Sequence, residues 1–251
     1  MSRVLLAGES WSSTTVHTKG FDSFITSVYE EGAHDFIAAL EAAGHEVDFQ
    51  PNHVASAKFP HTAEELDAYD VVVLSDIGAN TLLLPQAVFM RGETVPNRLK
   101  VLAKWVADGG SLLMVGGYLS FQGIEAKANY RGTPLAEVLP VLMEVGDDRE
   151  ETPEGSEASV TGEHEITRDM PHPWPSILGF HRLAAKEGAE VLATVGGHPL
   201  LVVGTHGAGK VAAFATDMGP HWLPRTFVEW PGYARLWQQL TTWLGSGKAA
   251  K

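Results

Sequence analysis

The chain has 251 residues, 44% of them hydrophobic, which is enough for the core of one large α/β domain. Its 18 Lys and Arg residues against 31 Asp and Glu residues give a formal charge of −13, which repels nucleic-acid phosphates and anionic lipid surfaces. The absence of cysteine excludes disulfides, thiolate metal sites and thiol catalysis. We expect neither nucleic acid nor a membrane as a partner.

The apolar runs of this sequence are short. The first one, residues 4–7, is too short for the core of a signal peptide. No later run approaches the about 20 apolar residues that span a membrane. The sequence therefore predicts a cytoplasmic protein.

Strands and helices alternate along the first half. Residues 4–7, 71–74 and 112–115 are apolar runs typical of strands buried on both faces, and residues 46–49 alternate like an edge strand. Apolar residues at helical spacing separate these strands, first over residues 33–43 and later at Leu99, Leu102 and Val106.

This alternation predicts an α/β fold with a doubly wound, mostly parallel sheet. Ligands of such sheets bind near the carboxyl ends of the strands. The loops that begin at Gly8, Ser75 and Gly116 are therefore the predicted functional loops.

The second half has a different organisation. Residues 147–157 are acidic and contain few apolar side chains, which favours a solvated surface loop over an acidic binding site. Short strands are predicted at residues 190–194, 200–203 and 211–215. The last two should form a β-hairpin that extends the sheet.

A helix closes the predicted domain. It begins near Pro231, ends at Gly245 and carries an apolar stripe. We interpret exposed Trp and Leu side chains of this helix as contacts of a homo-oligomer. The prediction is a single domain over residues 1–245, followed by a disordered tail over residues 246–251.

Two motifs for nucleotides and metals are incomplete. Residues 204–210 match G-x-x-x-x-G-K, but Val211 stands where a Ser or Thr should bind magnesium, and a strand follows instead of a helix. The eleven His residues include no H-E-x-x-H and no tight cluster. We expect no metal site and no cofactor.

The loop after the first strand contains a candidate nucleophile, Ser10. With Asn80 for the oxyanion, it resembles the arrangement of the Ser-Gly-Asn-His hydrolases. There, His221 would act as the base and Asp217 would orient it. The match is loose, because Glu9 replaces the usual Asp before the Ser. In the alternative interpretation, Ser10 caps a helix or binds backbone.

Longer stretches of the sequence resemble the glutamine amidotransferase-like family of the class I amidotransferase superfamily. These stretches span almost the whole chain and comprise residues 8–11, 116–121, 132–141, 199–202 and 217–222. The resemblance implies a flavodoxin-like sheet with the family's catalytic elbow after the strand of residues 112–115.

The catalytic residues of that superfamily are not matched. The resemblance implies an elbow Cys, a His near the end of the sheet and a Glu two residues later. Here Tyr118 or its neighbour occupies the elbow, and Thr216 and Met218 stand near the other two positions. A phenol with a pKa of about 10 is a poor substitute for a thiol that ionises near about 8.5. Trehalose-utilisation-like relatives keep the fold without that Cys and are associated with sugars.

The sequence therefore predicts an amidotransferase-like protein that lacks glutaminase activity and binds a small polar, carbohydrate-related molecule. The alternatives are a hydrolase that uses Ser10 or His221 with Asp217, and a non-catalytic interaction module. The predicted pocket residues lie in the loops that begin at Gly8 and Gly116 and in residues 216–222, which follow the last predicted strand: Glu9, Ser10, Trp11, Tyr118, Ser120, Asp217, His221 and Trp222.

Overall fold

The computed structural model describes residues 1–247. Of the tail predicted as disordered, residues 246 and 247 form a turn, in which Ser246 N donates to Thr242 O and Gly247 N donates to Leu244 O. Residues 248–251 of that tail lie outside the described part. None of the described helices is long and apolar enough to cross a membrane.

The described residues form fourteen strands. In chain order they are β1 Arg3–Gly8, β2 Ser10–Lys19, β3 Asp22–Glu31, β4 Glu46–Gln50, β5 Val71–Ser75, β6 Ser111–Val115, β7 Val141–Met143, β8 Arg149–Ser156, β9 Ala158–Val160, β10 Ile177–His181, β11 Leu183–Ala185, β12 Glu190–Val195, β13 His198–His206 and β14 Gly209–Phe214.

Nine α-helices connect or cover these strands in the described chain. They are α1 His34–Ala42, α2 Asn52–Lys58, α3 Ala63–Leu66, α4 Ala79–Leu83, α5 Gln86–Arg91, α6 Arg98–Ala107, α7 Leu135–Val138, α8 Arg225–Val228 and α9 Gly232–Gly245.

A mixed sheet of eight strands organises the core. Its order is β4-β1-β5-β6-β14-β13-β12-β9, and the pairs from β4 to β14 are parallel. Strands β5 and β6 are buried at every position, because helices cover both faces of a doubly wound sheet. The predicted flavodoxin-like α/β fold is confirmed.

The predicted C-terminal hairpin is also confirmed. Strands β13 and β14 pair antiparallel, with Leu201 opposite Phe214 and His206 opposite Gly209. Strand β14 also pairs in parallel with β6 and thereby becomes the last parallel strand of the core. Its carboxyl end delivers residues 215–222 to the same edge as the loops after β1, β5 and β6.

Helix α9 packs its apolar stripe inward. Leu236, Trp237, Leu240 and Leu244 have no exposed surface, and the Trp237 ring lies 4.9 Å from Phe36 of α1. The expectation that this helix exposes its Trp and Leu side chains is therefore wrong for these four residues, whereas the homo-oligomer itself stays a prediction. An apolar stripe of this width is typical of a helix that faces the core of its own domain, as α9 does here.

The acidic segment of residues 147–157 is not a plain loop. Strand β8 takes up most of it and pairs antiparallel with β10, although with a bulge. Two arginines neutralise its charges: Arg149 pairs with Asp147 and Glu151, and Arg182 pairs with Glu144 and Glu150. The prediction of a solvated loop is wrong, because the segment pairs as a strand. Arg149 lies within β8, and Arg182 directly follows the paired strand β10.

Strands β2 and β3 form a long hairpin that the sequence analysis does not predict. Ten cross-strand pairs connect it, from Ser10 opposite Glu31 to Lys19 opposite Asp22. Beyond Ser10, nearly every residue of this hairpin is exposed. We call residues 10–31 the arm.

Candidate functional site

Acidic side chains lie just after the carboxyl ends of three strands in the parallel part of the sheet. Glu9 follows β1, Asp76 follows β5, and Asp217 lies shortly after β14. Glu9 and Asp76 have φ angles of 46° and 43°, in the left-handed region that residues other than glycine rarely adopt. Such backbone persists only where the surrounding structure enforces it, and it is concentrated at functional sites.

These side chains line a cavity of about 590 Å³ at the carboxyl edge of the sheet. Five residues of the predicted pocket are on its wall, and they come from the loops that the sequence analysis singles out. The lining comprises Glu9, Trp11, Gly32, Asp76, Tyr118, Leu119, Ile124, Lys127, Asp217, Gly219, Pro220 and His221.

Each of the three carboxyl groups is fixed by hydrogen bonds on one oxygen. Glu9 Oε2 accepts from Ser75 Oγ at 2.5 Å, and Asp76 Oδ1 accepts from Leu119 N at 2.6 Å. Asp217 Oδ2 accepts from Trp222 N at 3.0 Å and contacts His221 Nδ1 at 2.9 Å. The second oxygen of each group has no hydrogen bond within the described chain and is left for a ligand.

Burial and mutual repulsion favour the protonated forms of two of these groups. Burial raises the pKa of Glu9 well above its usual value, and the negative charges of Asp217 and Asp76 add to this effect. Burial, followed by the charge of Asp217, raises the pKa of Asp76 to about 6. The raised pKa values extend the pH range in which these two carboxyl groups are protonated and can donate a hydrogen bond.

His221 is positioned by aromatic rings and by Asp217. Its ring stacks on Trp222 at 5.8 Å and meets the edge of Tyr118 at 4.6 Å. The hydrogen bond that His221 Nδ1 donates to the Asp217 carboxylate raises the pKa of His221, against the effect of burial. Because Nδ1 faces Asp217, Nε2 is the nitrogen that a ligand or substrate can reach.

The elbow after β6 cannot present a side-chain nucleophile at its apex. The apex is Gly117, which has a φ of +128°. A Cβ atom on it would lie 2.9 Å from both Asp217 Oδ1 and Asp76 Cβ. The residue that follows, Tyr118, turns its ring into the cavity wall. The side chains of Asp217 and Asp76 occupy the space next to this apex.

Strand β8 builds the outer wall behind Tyr118. The Arg149 guanidinium lies 4.5 Å from the centre of the Tyr118 ring, close enough for a cation–π contact. Arg149 also pairs with Glu151 at 3.2 Å, and Glu151 Oε2 accepts from Trp222 Nε1 at 2.9 Å. The acidic segment therefore contributes to the site through its side chains.

His181 and Asp148 form a buried pair that contacts the backbone of the elbow loop. His181 Nδ1 lies 2.8 Å from Asp148 Oδ1, and His181 Nε2 lies 3.0 Å from the carbonyl oxygen of Gly117. Asp148 also accepts from the backbone N–H groups of Gln122 and Gly123. Both ring nitrogens of His181 therefore face oxygen atoms, one on Asp148 and one on the backbone of Gly117. The pair fixes the loop that carries Tyr118.

Three residues of the predicted pocket do not line the cavity. Ser10 Oγ accepts from Asn52 N at 2.8 Å and borders a separate cavity of about 420 Å³. Ser120 Oγ accepts from Asp76 N at 3.0 Å, which supports the strained backbone there. Trp222 is buried behind His221. The structure matches the alternative in which Ser10 binds backbone.

The predicted pocket lacks Asp76, which the structure places on the cavity wall. Its position directly after the apolar run of β5 is the signal that could have identified it. The contributions of Gly32 and Lys127 depend on the arm and on a loop, and no pattern in the sequence indicates them. The described residues contain no group of three or more His, Asp or Glu side chains that could hold a metal ion.

Comparison with known proteins identifies the family of this chain. A family described as "Putative glutamine amidotransferase" matches residues 3–246. The chain belongs to this family. No curated protein matches the sequence.

Two solved structures resemble this family member over nearly its whole length. Both are cytoplasmic proteins of Salmonella typhimurium. STM3548 is 45% identical, with a TM-score of 0.94, and covers 96% of this chain and 98% of its own. STM1381 is 48% identical, with a TM-score of 0.93, and covers 96% and 99%. A ThuA-like protein of Bacteroides uniformis, 11% identical with a TM-score of 0.56 over 96% and 90%, shares the fold alone.

Proposed function

We propose that this family member binds a small polyhydroxylated molecule, such as a sugar or a related polyol, in the cavity at the carboxyl edge of the sheet. One observation carries the proposal. Three fixed carboxyl groups, from Glu9, Asp76 and Asp217, each leave an oxygen for a ligand in a cavity that also contains aromatic rings.

The chemistry of the lining fits hydroxyl groups. Carboxylate oxygens accept hydrogen bonds from hydroxyls, and a carboxyl group with a raised pKa can also donate one. The rings of Tyr118 and Trp11 offer apolar faces for the C–H side of a sugar. A cavity of about 590 Å³ has the size typical of sites for small molecules.

The proposal includes the absence of glutaminase activity. The chain has no cysteine, so the thiol mechanism has no nucleophile. The apex of the elbow is a glycine, and Asp76 and Asp217 occupy the adjacent space. We also propose a cytoplasmic location, as in the names of the two Salmonella proteins.

The dyad of His221 and Asp217 favours a second candidate, a hydrolase that uses His221 as a general base. Asp217 contacts Nδ1 at 2.9 Å, which leaves Nε2 toward the cavity, as in a catalytic dyad. Ser10 is a poorer candidate, because it lines a different cavity. In this second candidate the nucleophile is water.

Binding is tested with a thermal-shift screen of sugars, amino sugars, polyols and glutamine, followed by calorimetric titration of each hit. We expect at least one polyhydroxylated hit and no shift with glutamine. Glu9→Ala and Asp76→Ala should each weaken binding at least about tenfold, since each removes a carboxyl group that contacts the ligand. Glu154→Ala, an exposed change on β8, is the matched control and should bind like the native chain.

The same hits separate binding from turnover. A hydrolase should convert a glycoside or ester of the hit, and His221→Gln should abolish this conversion, whereas His53→Gln should not. Absence of turnover with native affinity supports the binding protein. A screen without any polyhydroxylated hit contradicts the proposal and favours the interaction module.

A further inference from the structure

The arm exposes large apolar side chains, of which only Phe24, stacked on His17, and Tyr29, beside His53, have ring contacts within the described chain. Its strands carry short polar residues, chiefly Ser and Thr, between large apolar ones. The exposed fractions are 63% for Val16, 110% for Phe21, 49% for Phe24, 66% for Ile25, 55% for Val28 and 46% for Tyr29. Single exposed apolar residues are common, but six of them on one hairpin, distributed over both of its faces and its turn, indicate an interaction surface.

The body of the protein fixes only the base of the arm. There, Asn52 N donates to Ser10 Oγ, and Gly32 N donates to the carbonyl oxygen of Glu9. An isolated two-stranded hairpin is at best marginally stable in water, because it lacks a covered face. An arm of two ten-residue strands therefore gains order when something covers it.

Both faces of the arm are apolar near its tip. The pair of Val16 and Ile25 lies on one face, the neighbouring pair of His17 and Phe24 lies on the other, and Phe21 is in the turn. A surface that is apolar on both sides suits insertion against another molecule better than packing flat on its own sheet.

A second apolar surface is exposed on the same chain. Phe89 and Met90 of α5 are 72% and 69% exposed, and Leu84 just before this helix is 41% exposed. Helix α5 has no buried residue. We call Leu84, Phe89 and Met90 the α5 patch.

We propose that two copies of this chain associate through reciprocal contacts, in which the arm of each copy packs against the α5 patch of the other. The partner is a second copy because one chain supplies both surfaces. A two-fold axis then forms each contact twice, as closed dimers require.

The available area fits a stable dimer. In a reciprocal contact each copy buries one face of its arm together with its own α5 patch, and from the exposed fractions these offer on the order of 700 Å² of apolar surface. A standard interface takes about 800 Å² from each partner. The formal charge of −13 disfavours nucleic acid and anionic membranes as the cover.

The proposal is independent of the ligand. The primary test is sedimentation velocity of the full chain across the micromolar range, where we expect a dimer. Phe24→Ser with Ile25→Ser should raise the dissociation constant at least about tenfold, and Phe89→Ser with Met90→Ser should do the same. The matched control is Leu142→Ser with Val145→Ser, which replaces two residues that are 55% and 81% exposed outside both surfaces.

The cysteine-free sequence permits a second, site-specific test. One preparation carries Ser23→Cys in the arm and another carries Met90→Cys in the α5 patch. Mixed under oxidising conditions, the two should form the heterologous disulfide faster than either forms one with itself. Mixing Ser23→Cys with Val145→Cys is the control and should not form this cross-link.

Three results would overturn the proposal. One is a monomer at every concentration, which would assign the arm to a different protein. The others are a dimer that survives either double substitution, and a control variant that dissociates as readily as the two surface variants. Circular dichroism of each variant shows whether it is folded, and since the substituted side chains are exposed, we expect native spectra.

Discussion

The carboxyl edge of the sheet buries ionisable side chains, whereas the arm exposes apolar ones. Each region therefore departs from the usual distribution of side chains in a folded protein. At the edge, ionisable groups are buried: Glu9 is 6% exposed, and His181 and Asp148 are not exposed at all. In the arm, aromatic and aliphatic side chains such as Phe21 and Ile25 are in water. Both arrangements are unfavourable unless something compensates for them.

The two regions differ in where this compensation lies. At the edge, the chain itself supplies it, through hydrogen bonds from Ser75, from Leu119 N and from the N–H groups that Asp148 accepts. In the arm, the described residues cover the apolar side chains only in part, as where Phe24 stacks on His17 and Tyr29 meets His53. Substitutions at the edge should therefore change the stability of the single chain, whereas substitutions in the arm should change only its association.

The largest expected effect is on the buried pair below the elbow. His181→Leu should lower the free energy of unfolding by about 3–5 kcal/mol, because it removes the buried partner of Asp148 and the contact with the carbonyl oxygen of Gly117. Denaturant unfolding monitored by fluorescence measures the loss. His53→Leu, at an exposed position, should stay within about 0.5 kcal/mol of the native chain. A similar small loss for His181→Leu would show that the pair does not support the elbow.

The next effect concerns the apex of the elbow. Gly117→Ala should cost about 2–4 kcal/mol, since the new Cβ would contact Asp217 and Asp76 at 2.9 Å on a backbone with a φ of +128°. Gly92→Ala is the control, because Gly92 has a φ of +65° but no heavy atom near its Cβ position. It should cost only about 1 kcal/mol. Equal losses in the two variants would mean that the carboxylates do not crowd the apex.

A smaller effect of opposite sign is expected at Asp76. Its pKa is raised from 3.8 to about 6, so the folded state binds this proton more tightly than the unfolded state does. The contribution to stability is present below pH 3.8 and is lost as the pH rises to about 6. Asp76→Asn should thus stabilise the chain at pH 7 by about 1–3 kcal/mol and have little effect near pH 3.5. Unfolding curves at both pH values test this, and destabilisation at pH 7 would contradict it.

The smallest effect is expected in the arm. At concentrations low enough to keep the chain monomeric, Phe24→Ser with Ile25→Ser should change the free energy of unfolding by less than about 0.5 kcal/mol. The reason is that neither side chain is buried in the single chain. A large loss under dilute conditions would show that the arm packs on its own body, and the contrast between the two regions would disappear.

The same contrast explains what the sequence could predict. Buried strands such as β5 and β6 are continuous apolar runs, so the core and the carboxyl edge follow from the pattern. The arm has no such signal, since its Thr-rich strands alternate without a buried face. The charged residues in and beside β8 do not predict a strand from the sequence. Their ion pairs with Arg149 and Arg182 form when the chain is folded.

The site was predictable in part for the same reason. Glu9, Tyr118, Asp217 and His221 follow apolar runs that end at one edge, and all four line the cavity. What the sequence could not provide is the direction of each side chain. Ser10 lies two residues after the end of β1, yet its hydroxyl accepts from Asn52 N, because Ser10 is already part of the arm.

The most direct test of the central claim is a crystal structure of the chain with the best polyhydroxylated hit of the screen. The account predicts the ligand in the cavity at the carboxyl edge, with hydroxyl groups at hydrogen-bond distance from the carboxyl oxygens of Glu9, Asp76 and Asp217. A ligand bound elsewhere, or one that enters this cavity without contacting any of the three carboxyl groups, would contradict it.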